Sequence, residues 1–127
     1  VEVIRLAVAV IEEEQKYLVT QRLETSIFPG LWEFPGGRVA AGESDADALR
    51  RALADRLGIA AEIGEQVLLV SHEYDAYTIE LAVFEATTAD TVVPGRVHDH
   101  RWVLPEEFDQ FEFPGADAQT VELLLEG

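Results

Sequence analysis

Cysteine is absent from this chain of 127 residues, which excludes a disulfide framework, a thiolate zinc site and a cysteine nucleophile. Lysine is nearly absent, because Lys16 is the only one. No apolar run approaches the roughly 18 residues that a membrane-spanning helix needs. No basic start followed by an apolar stretch indicates a signal peptide. We therefore expect a cytoplasmic protein.

Positive charge is scarce throughout the chain. Nine basic residues stand against 25 acidic ones, which gives a formal net charge of −16. Affinity for nucleic acids comes largely from Lys and Arg side chains that neutralise phosphates, and anionic membrane surfaces also attract basic segments. We therefore expect neither a nucleic acid polymer nor a membrane as a partner. The charge by itself identifies no ligand.

Hydrophobic residues make up 48% of the chain, enough for one folded domain over residues 1–127. A β-branched apolar run at 3–11 predicts a buried strand. A short strand at 31–34 is expected to end sharply at the Pro-Gly-Gly sequence of 35–37, and a closing helix is predicted over 116–125. Further strands are predicted at 17–20, 67–70, 77–84 and 101–104, with loops at 23–31 and 88–98. Strands mixed with two helices predict an α/β or α+β fold with a mixed sheet.

The pattern becomes helical from Ser44 onwards. A Ser-x-x-Asp pair that begins at Ser44 is suited to capping a helix N-terminus. Leu49, Leu53 and Leu57 then recur every four residues and predict one apolar helix face. Gly58 is a natural stop.

A spaced motif overlaps this helix. Gly37 is followed after five residues by Glu43, and after seven more by Arg51. An apolar residue, a glycine and a second apolar residue come next at fixed places, namely Leu53, Gly58 and Ile59. With the lead-in Trp-Glu-Phe-Pro-Gly-Gly-Arg at 32–38, this order resembles the Nudix box of the MutT-like branch. The flanking segments at 20–22, 101–103 and 113–117 have MutT-like counterparts as well.

The resemblance implies a fold and a reaction. The fold is an α/β (α+β) Nudix fold, in which a mixed sheet is sandwiched between helices. The reaction is attack of water on a nucleoside diphosphate linked to another group. For MutT relatives the substrate is a nucleoside triphosphate, and the products are a nucleoside monophosphate and pyrophosphate.

The resemblance also implies a divalent cofactor, Mg²⁺ or Mn²⁺. Carboxylates three and four residues apart share one helix face, where they can hold ions that bridge phosphate oxygens and activate water. The implied metal ligands here are Gly37, Glu43, Asp55 and, in a late loop, Asp99. An alignment shifted within that loop puts Val97 in the place of Asp99. The catalytic residues expected are Glu43, Asp55 and Arg51, although pairing of Glu43 with Arg51 is an equally simple scaffold role.

The sequence departs from the family at the metal positions. Three positions that read Glu in the Nudix box are Ala52, Asp55 and Arg56. Asp55 alone keeps a carboxylate, and Arg56 places a positive charge where a cation is expected to bind. We therefore expect impaired or altered metal use, with at most one ion held by Asp55, Glu43 and the substrate phosphates.

Substrate contacts are expected from seven residues. Asp117 falls where MutT relatives read the base, and an ionised Asp only accepts hydrogen bonds, so a base edge that offers N–H groups is predicted. Helix capping is the alternative role for Asp117. Aromatic residues, Trp32 and Tyr74 among them, either line a base pocket or pack in the core. The seven are Arg22, Phe34, Gly36, Gly37, Arg38, Arg56 and Asp117.

Three functions compete at this point. The first is a Nudix pyrophosphohydrolase that acts on a nucleoside triphosphate or a related compound. The second is a non-catalytic nucleotide-binding or regulatory domain, in which Arg56 and other arginines replace the metal. The third is a relative of the MutT-like end domain of adenine DNA glycosylases, which the charge of −16 disfavours.

Overall fold

The computed structural model describes residues 2–23, 29–93, 97 and 99–126. These residues form two α-helices, α1 (Asp45–Leu57) and α2 (Ala118–Glu126). Two short 3₁₀ helices, Pro105–Gln110 and Gly115–Asp117, precede α2 in the chain. None of the helices in these residues is long and apolar enough to cross a membrane. The strands are β1 (Glu2–Glu13), β2 (Lys16–Gln21), β3 (Trp32–Glu33), β4 (Gly36–Arg38), β5 (Glu62–Glu73), β6 (Tyr77–Thr87) and β7 (Asp99–Val103).

A mixed sheet forms the centre of the fold. The strand order is β3-β2-β1-β6-β5, while β4 pairs with β1 and β7 pairs with β2. Strand β1 runs parallel to β6, and it pairs antiparallel with β2 and β4. The predicted mixed sheet is therefore confirmed.

Alternating side chains of β1 build two cores, one on each face of the sheet. Ala7 and Ala9 pack in the cluster that contains the buried leucines of α1. Val8 and Val10 point the other way, into the cluster that contains Phe108 of the first 3₁₀ helix and receives side chains of α2. The sheet thus lies between helices, as predicted.

Both ends of α1 follow from local sequence. The Ser44 hydroxyl accepts a hydrogen bond from the backbone N–H of Asp47 at 3.1 Å, which satisfies one of the N–H groups that a helix start leaves free. Gly58 ends the helix in the left-handed conformation, at φ 64°. Both predicted signals are confirmed, and they fix which residues of α1 face the sheet.

The strand predicted at 31–34 ends before the Pro-Gly-Gly sequence at 35–37, as expected, but that sequence leads directly into a further strand that was not predicted. Gly36 and Gly37 belong to strand β4 and pair with Val8 and Ala7 of β1. A Cβ atom added at Gly36 would lie 2.1 Å from the carbonyl oxygen of Ala7, so glycine here permits strand pairing at close range.

Several other boundaries differ from the predictions. Strand β5 extends well beyond 67–70 because it pairs with β6 along most of its length. The closing helix starts at Ala118 rather than at 116, after the second 3₁₀ turn. The loops predicted at 23–31 and 88–98 each contain residues outside those that the structure describes.

Candidate functional site

Two adjoining cavities open between β4, α1 and the second 3₁₀ helix. The first, here the apolar cavity, has a volume of about 210 Å³; its lining includes three side chains each of β1 and β6, with Tyr74, Pro114, Ala116 and Asp117. The second, here the arginine cavity, has a volume of about 300 Å³ and is lined by Arg51, Ala52 and Asp55 of α1, with Leu23 and Val97. Five residues line both cavities: Arg22, Glu33, Gly37, Arg38 and Arg56.

Gly37 brings β4 against α1 at the junction of the two cavities. A Cβ atom added at Gly37 would lie 2.8 Å from Cβ of Ala52 and 3.8 Å from Cζ of Arg56. The first distance is too short for a real contact, so glycine is required for this packing. As a result the Gly37 backbone and the Arg56 guanidinium lie next to each other.

The arginine cavity concentrates positive charge in an acidic protein. Of the nine basic residues in the chain, four line this cavity, against two carboxylates, Glu33 and Asp55. Guanidinium groups bind planar oxyanions through two parallel hydrogen bonds. This cavity therefore suits a phosphate chain. The four are Arg22, Arg38, Arg51 and Arg56.

Three of these arginines have carboxylate partners. Arg22 donates to Glu33 at 2.7 Å, and Arg38 contacts Glu2 at 3.3 Å across the exposed edge. Within the described ranges, Arg56 forms neither a hydrogen bond nor an ion pair. Its through-space effect is on Glu33, where it and Arg22 lower a pKa that burial raises.

The third pair joins Arg51 to Glu43. Arg51 Nε and Nη2 donate to the two carboxylate oxygens of Glu43, each at 2.9 Å, and Nη2 also donates to the Arg38 carbonyl at 3.0 Å. Glu43 accepts a further hydrogen bond from the Ala40 N–H at 3.0 Å. These bonds, to Arg51 first and then to Ala40, lower the pKa of Glu43 to about 2. The predicted pairing is confirmed, and it ties the loop before α1 to the helix.

The implied metal set does not come together in the described residues. Gly37 and Asp55 line the arginine cavity, whereas Glu43 lies outside its lining. Asp99 is in β7, where it accepts from Arg101 at 2.8 Å and from the His100 N–H at 2.7 Å. Among the late-loop residues that the structure describes, Val97 lines the cavity.

The donor chemistry also disagrees with a divalent metal. The described part of the chain holds no group of three or more Asp, Glu, His or Cys side chains placed for a metal ion. Mg²⁺ requires oxygen ligands, whereas guanidinium groups of Arg51 and Arg56 flank Asp55 in the cavity lining. The residues present therefore do not fit the multi-carboxylate metal set of the family, and Mg²⁺ or Mn²⁺ binding stays a prediction.

Asp117 lines the apolar cavity but not the arginine cavity, and it is 4% exposed. Burial raises its pKa well above the usual value, the nearby Glu33 carboxyl raises it further, and Arg22 lowers it. The base edge expected from an ionised, accept-only carboxylate stays a prediction, because burial opposes the ionised form. The protonated form would both donate and accept, and would pair with a base edge that presents a donor next to an acceptor.

Phe34 does not reach either cavity, although it was expected to contact substrate. Its side chain is 0% exposed and packs between Phe108 and Phe113, with ring centroids 5.9 Å and 5.5 Å away. Trp32 likewise packs edge-on against Phe111. Tyr74 is the predicted aromatic residue that lines the apolar cavity.

Sequence reasoning missed Glu33 and the apolar lining. Glu33 is a charged residue among apolar neighbours in a predicted strand. Because charged residues are seldom buried without a partner, this position could have been singled out as a candidate site residue. Leu6 and Tyr77 line the same cavity because β1 and β6 pair in parallel. The sequence contains no local mark of that long-range pairing.

Comparison with known proteins matches this arrangement. Residues 7–123 match the NUDIX domain family. The chain is 34% identical over 125 residues to the CTP pyrophosphohydrolase of Escherichia coli K12, which covers 96% of this chain and 91% of that protein. It is 35% identical over 126 residues to the 8-oxo-dGTP diphosphatase of Haemophilus influenzae, with coverages of 97% and 92%.

Solved structures agree with the sequence relatives. The solution structure of the E. coli ORF135 protein aligns with a TM-score of 0.86 at 33% identity, over 98% of this chain and 90% of that one. The MutT protein of Methanosarcina mazei aligns with a TM-score of 0.87 over 98% and 94%, and at 24% identity it supports the fold alone. The chain belongs to the Nudix hydrolase family, among its MutT-like members.

Proposed function

We propose that this chain binds a nucleoside triphosphate, or a related nucleoside diphosphate linked to another group, and hydrolyses it to a nucleoside monophosphate and pyrophosphate with altered metal use. The observation that carries the proposal is the continuity of the two cavities through Gly37, Arg22, Glu33, Arg38 and Arg56. One end suits a base and the other suits phosphates.

The base end is built for a flat, partly polar ligand. Leu6, Ile79 and Leu81 supply apolar walls, and Tyr74 and Tyr77 add aromatic rings. Ligand pockets in proteins commonly combine such walls with a few polar groups that fix orientation. The buried Asp117 carboxyl is that polar group in this cavity. The substrates named for the two relatives, CTP and 8-oxo-dGTP, support a nucleotide in general.

The phosphate end supplies charge stabilisation. Guanidinium groups of Arg38 and Arg56 can donate to the oxygens of the leaving pyrophosphate, whose charge increases as the phosphoanhydride bond breaks. Asp55 is the carboxylate that α1 presents to this cavity, and we assign it to the water that attacks phosphorus. In this scheme the water oxygen bonds to phosphorus and its proton passes to Asp55.

Turnover is tested with a nucleotide panel. Purified protein is incubated with CTP, dGTP and UTP with Mg²⁺, with Mn²⁺ or with EDTA, and pyrophosphate release is measured. We expect slow release that falls about 100-fold in Asp55→Asn, because general-base catalysis contributes on the order of 10²–10⁴-fold. Asp47→Asn is the matched control, since Asp47 is an exposed carboxylate of the same helix that pairs with Arg50.

A nucleotide-binding domain without turnover is the second candidate. The charge of Arg56 in the cavity favours it, because a cation there opposes a catalytic metal ion. Thermal shift with the same panel separates the two, since a ligand that binds the native state raises its stability. Stabilisation without pyrophosphate release at high protein concentration would exclude hydrolysis and favour binding alone.

A further inference from the structure

Arg56 stands at a position that the Nudix box gives to a glutamate, and its side chain lines both cavities. Its guanidinium lies beside the Gly37 backbone, with Cζ 3.8 Å from the point where a side chain would begin. In the residues that the structure covers, it has no hydrogen bond or ion pair that would have to break before a ligand binds.

We propose that the Arg56 guanidinium takes the place of a divalent cation, so that a polyphosphate binds in the arginine cavity without metal. This inference rests on the proposed function, because it concerns the phosphate end of the same site. The charge of the cavity supports it: four arginines line it against two carboxylates, Glu33 and Asp55, and the partners of Arg51 and Arg38, namely Glu43 and Glu2, lie outside the lining.

The affinity for polyphosphate should therefore fall when Mg²⁺ is added, whereas at a metal-assisted site it would rise. A guanidinium group binds phosphate oxygens most strongly when they carry their full negative charge. Mg²⁺ that chelates a free triphosphate neutralises part of this charge and occupies the same oxygens. Excess Mg²⁺ is expected to weaken binding several-fold, whereas a carboxylate metal site would require it.

Calorimetry with inorganic triphosphate tests the phosphate end apart from the base end. The titration is run at low ionic strength with EDTA and again with excess MgCl₂. We expect binding in EDTA, and a loss of about 10- to 100-fold in Arg56→Gln, as for one charge-assisted contact. Arg50→Gln is the matched control, because Arg50 lies on the same helix and pairs with Asp47 at 2.7 Å. It should bind as the wild type does.

A second variant guards against misfolding. Arg56→Lys keeps the charge and loses the paired donors, so its affinity should fall between those of the wild type and Arg56→Gln. Binding that appears only with Mg²⁺, an unchanged Arg56→Gln, or no binding of triphosphate would each overturn the inference. If CTP or dGTP still bound with Mg²⁺, the proposed function would survive that failure. If no nucleotide bound in any condition, both proposals would fail.

Discussion

Helix α1 has two faces of different character. Its apolar face, with Leu49, Leu53 and Leu57, is fully buried against the sheet and keeps the spacing of the Nudix box. Its cavity face carries Ala52 and Arg56 at positions where the resemblance implies glutamates. The comparison leads us to expect that substitutions on the apolar face change stability, whereas substitutions on the cavity face change ligand binding.

The largest effect is expected on the apolar face. Leu53 is 1% exposed, so Leu53→Ala removes buried methyl groups and leaves a cavity beside the sheet. We expect a loss of about 2–5 kcal/mol in the free energy of unfolding, measured by urea denaturation. Asp55→Asn, on the exposed side of the helix, is the control and should change stability by less than about 1 kcal/mol, because an interaction of an exposed carboxylate contributes at most about that much. Equal effects would mean that the two faces are not independent.

Restoring the cavity face should recover metal binding. In the double variant Ala52→Glu with Arg56→Glu, α1 presents three carboxylates on one face, with Asp55. We expect Mn²⁺ affinity to rise at least about tenfold, or about 1.4 kcal/mol, measured by calorimetry. The single variant Arg56→Gln removes the charge without adding ligands and should gain less. Unchanged Mn²⁺ affinity in the double variant would contradict the assignment of these positions.

The pH dependence of stability tests the burial of Asp117 in the apolar cavity. A raised pKa in the folded state means that ionisation is easier in the unfolded chain. Its favourable contribution is therefore complete below the usual value of 3.8 and is lost as pH rises through the folded pKa. The side chain of Asp117→Asn cannot ionise. The melting temperature of this variant should therefore rise relative to that of the wild type as the pH increases. A constant difference between the two proteins would argue against burial of an ionisable group.

Glu43 should give the smallest change of stability with pH, and its contribution should be lost at low pH rather than at high pH. Its pKa is lowered from 4.5 to about 2 by Arg51 and Ala40, so the ionised form stabilises the fold. That contribution is present above 4.5 and is lost as pH falls towards about 2. Wild type and Glu43→Gln should therefore differ in melting temperature at neutral pH and converge through this window. A gap that persisted at the acid end would show a role other than ion pairing.

Local sequence signals were sufficient for the helix and most strands. The caps at Ser44 and Gly58 and the leucine spacing act within a few residues, so they can be identified in the sequence and are found in the structure. The predicted ion pair between Glu43 and Arg51 also depends on the spacing of the motif. These features needed no knowledge of distant contacts.

The candidate site was less predictable because distant segments assemble it. The Glu33 carboxyl raises the pKa of Asp117 although the two residues are far apart in the chain, and burial raises the pKa of both. Phe34 was assigned to substrate, but the 3₁₀ helix at Pro105–Gln110 supplies Phe108 and encloses it. The family motif identifies candidate positions in the sequence, whereas the burial of each side chain in the fold determines whether it can contact a ligand.

The contact of Gly37 with Ala52 has a mechanical consequence. Strand β4 bears directly on α1 at this point, so an anion that bridged the Gly37 backbone and the Arg56 side chain would act as a clamp between sheet and helix. Such a clamp would slow the separation of the two layers, and the occupied site would be among the last parts of the protein to exchange its amide hydrogens.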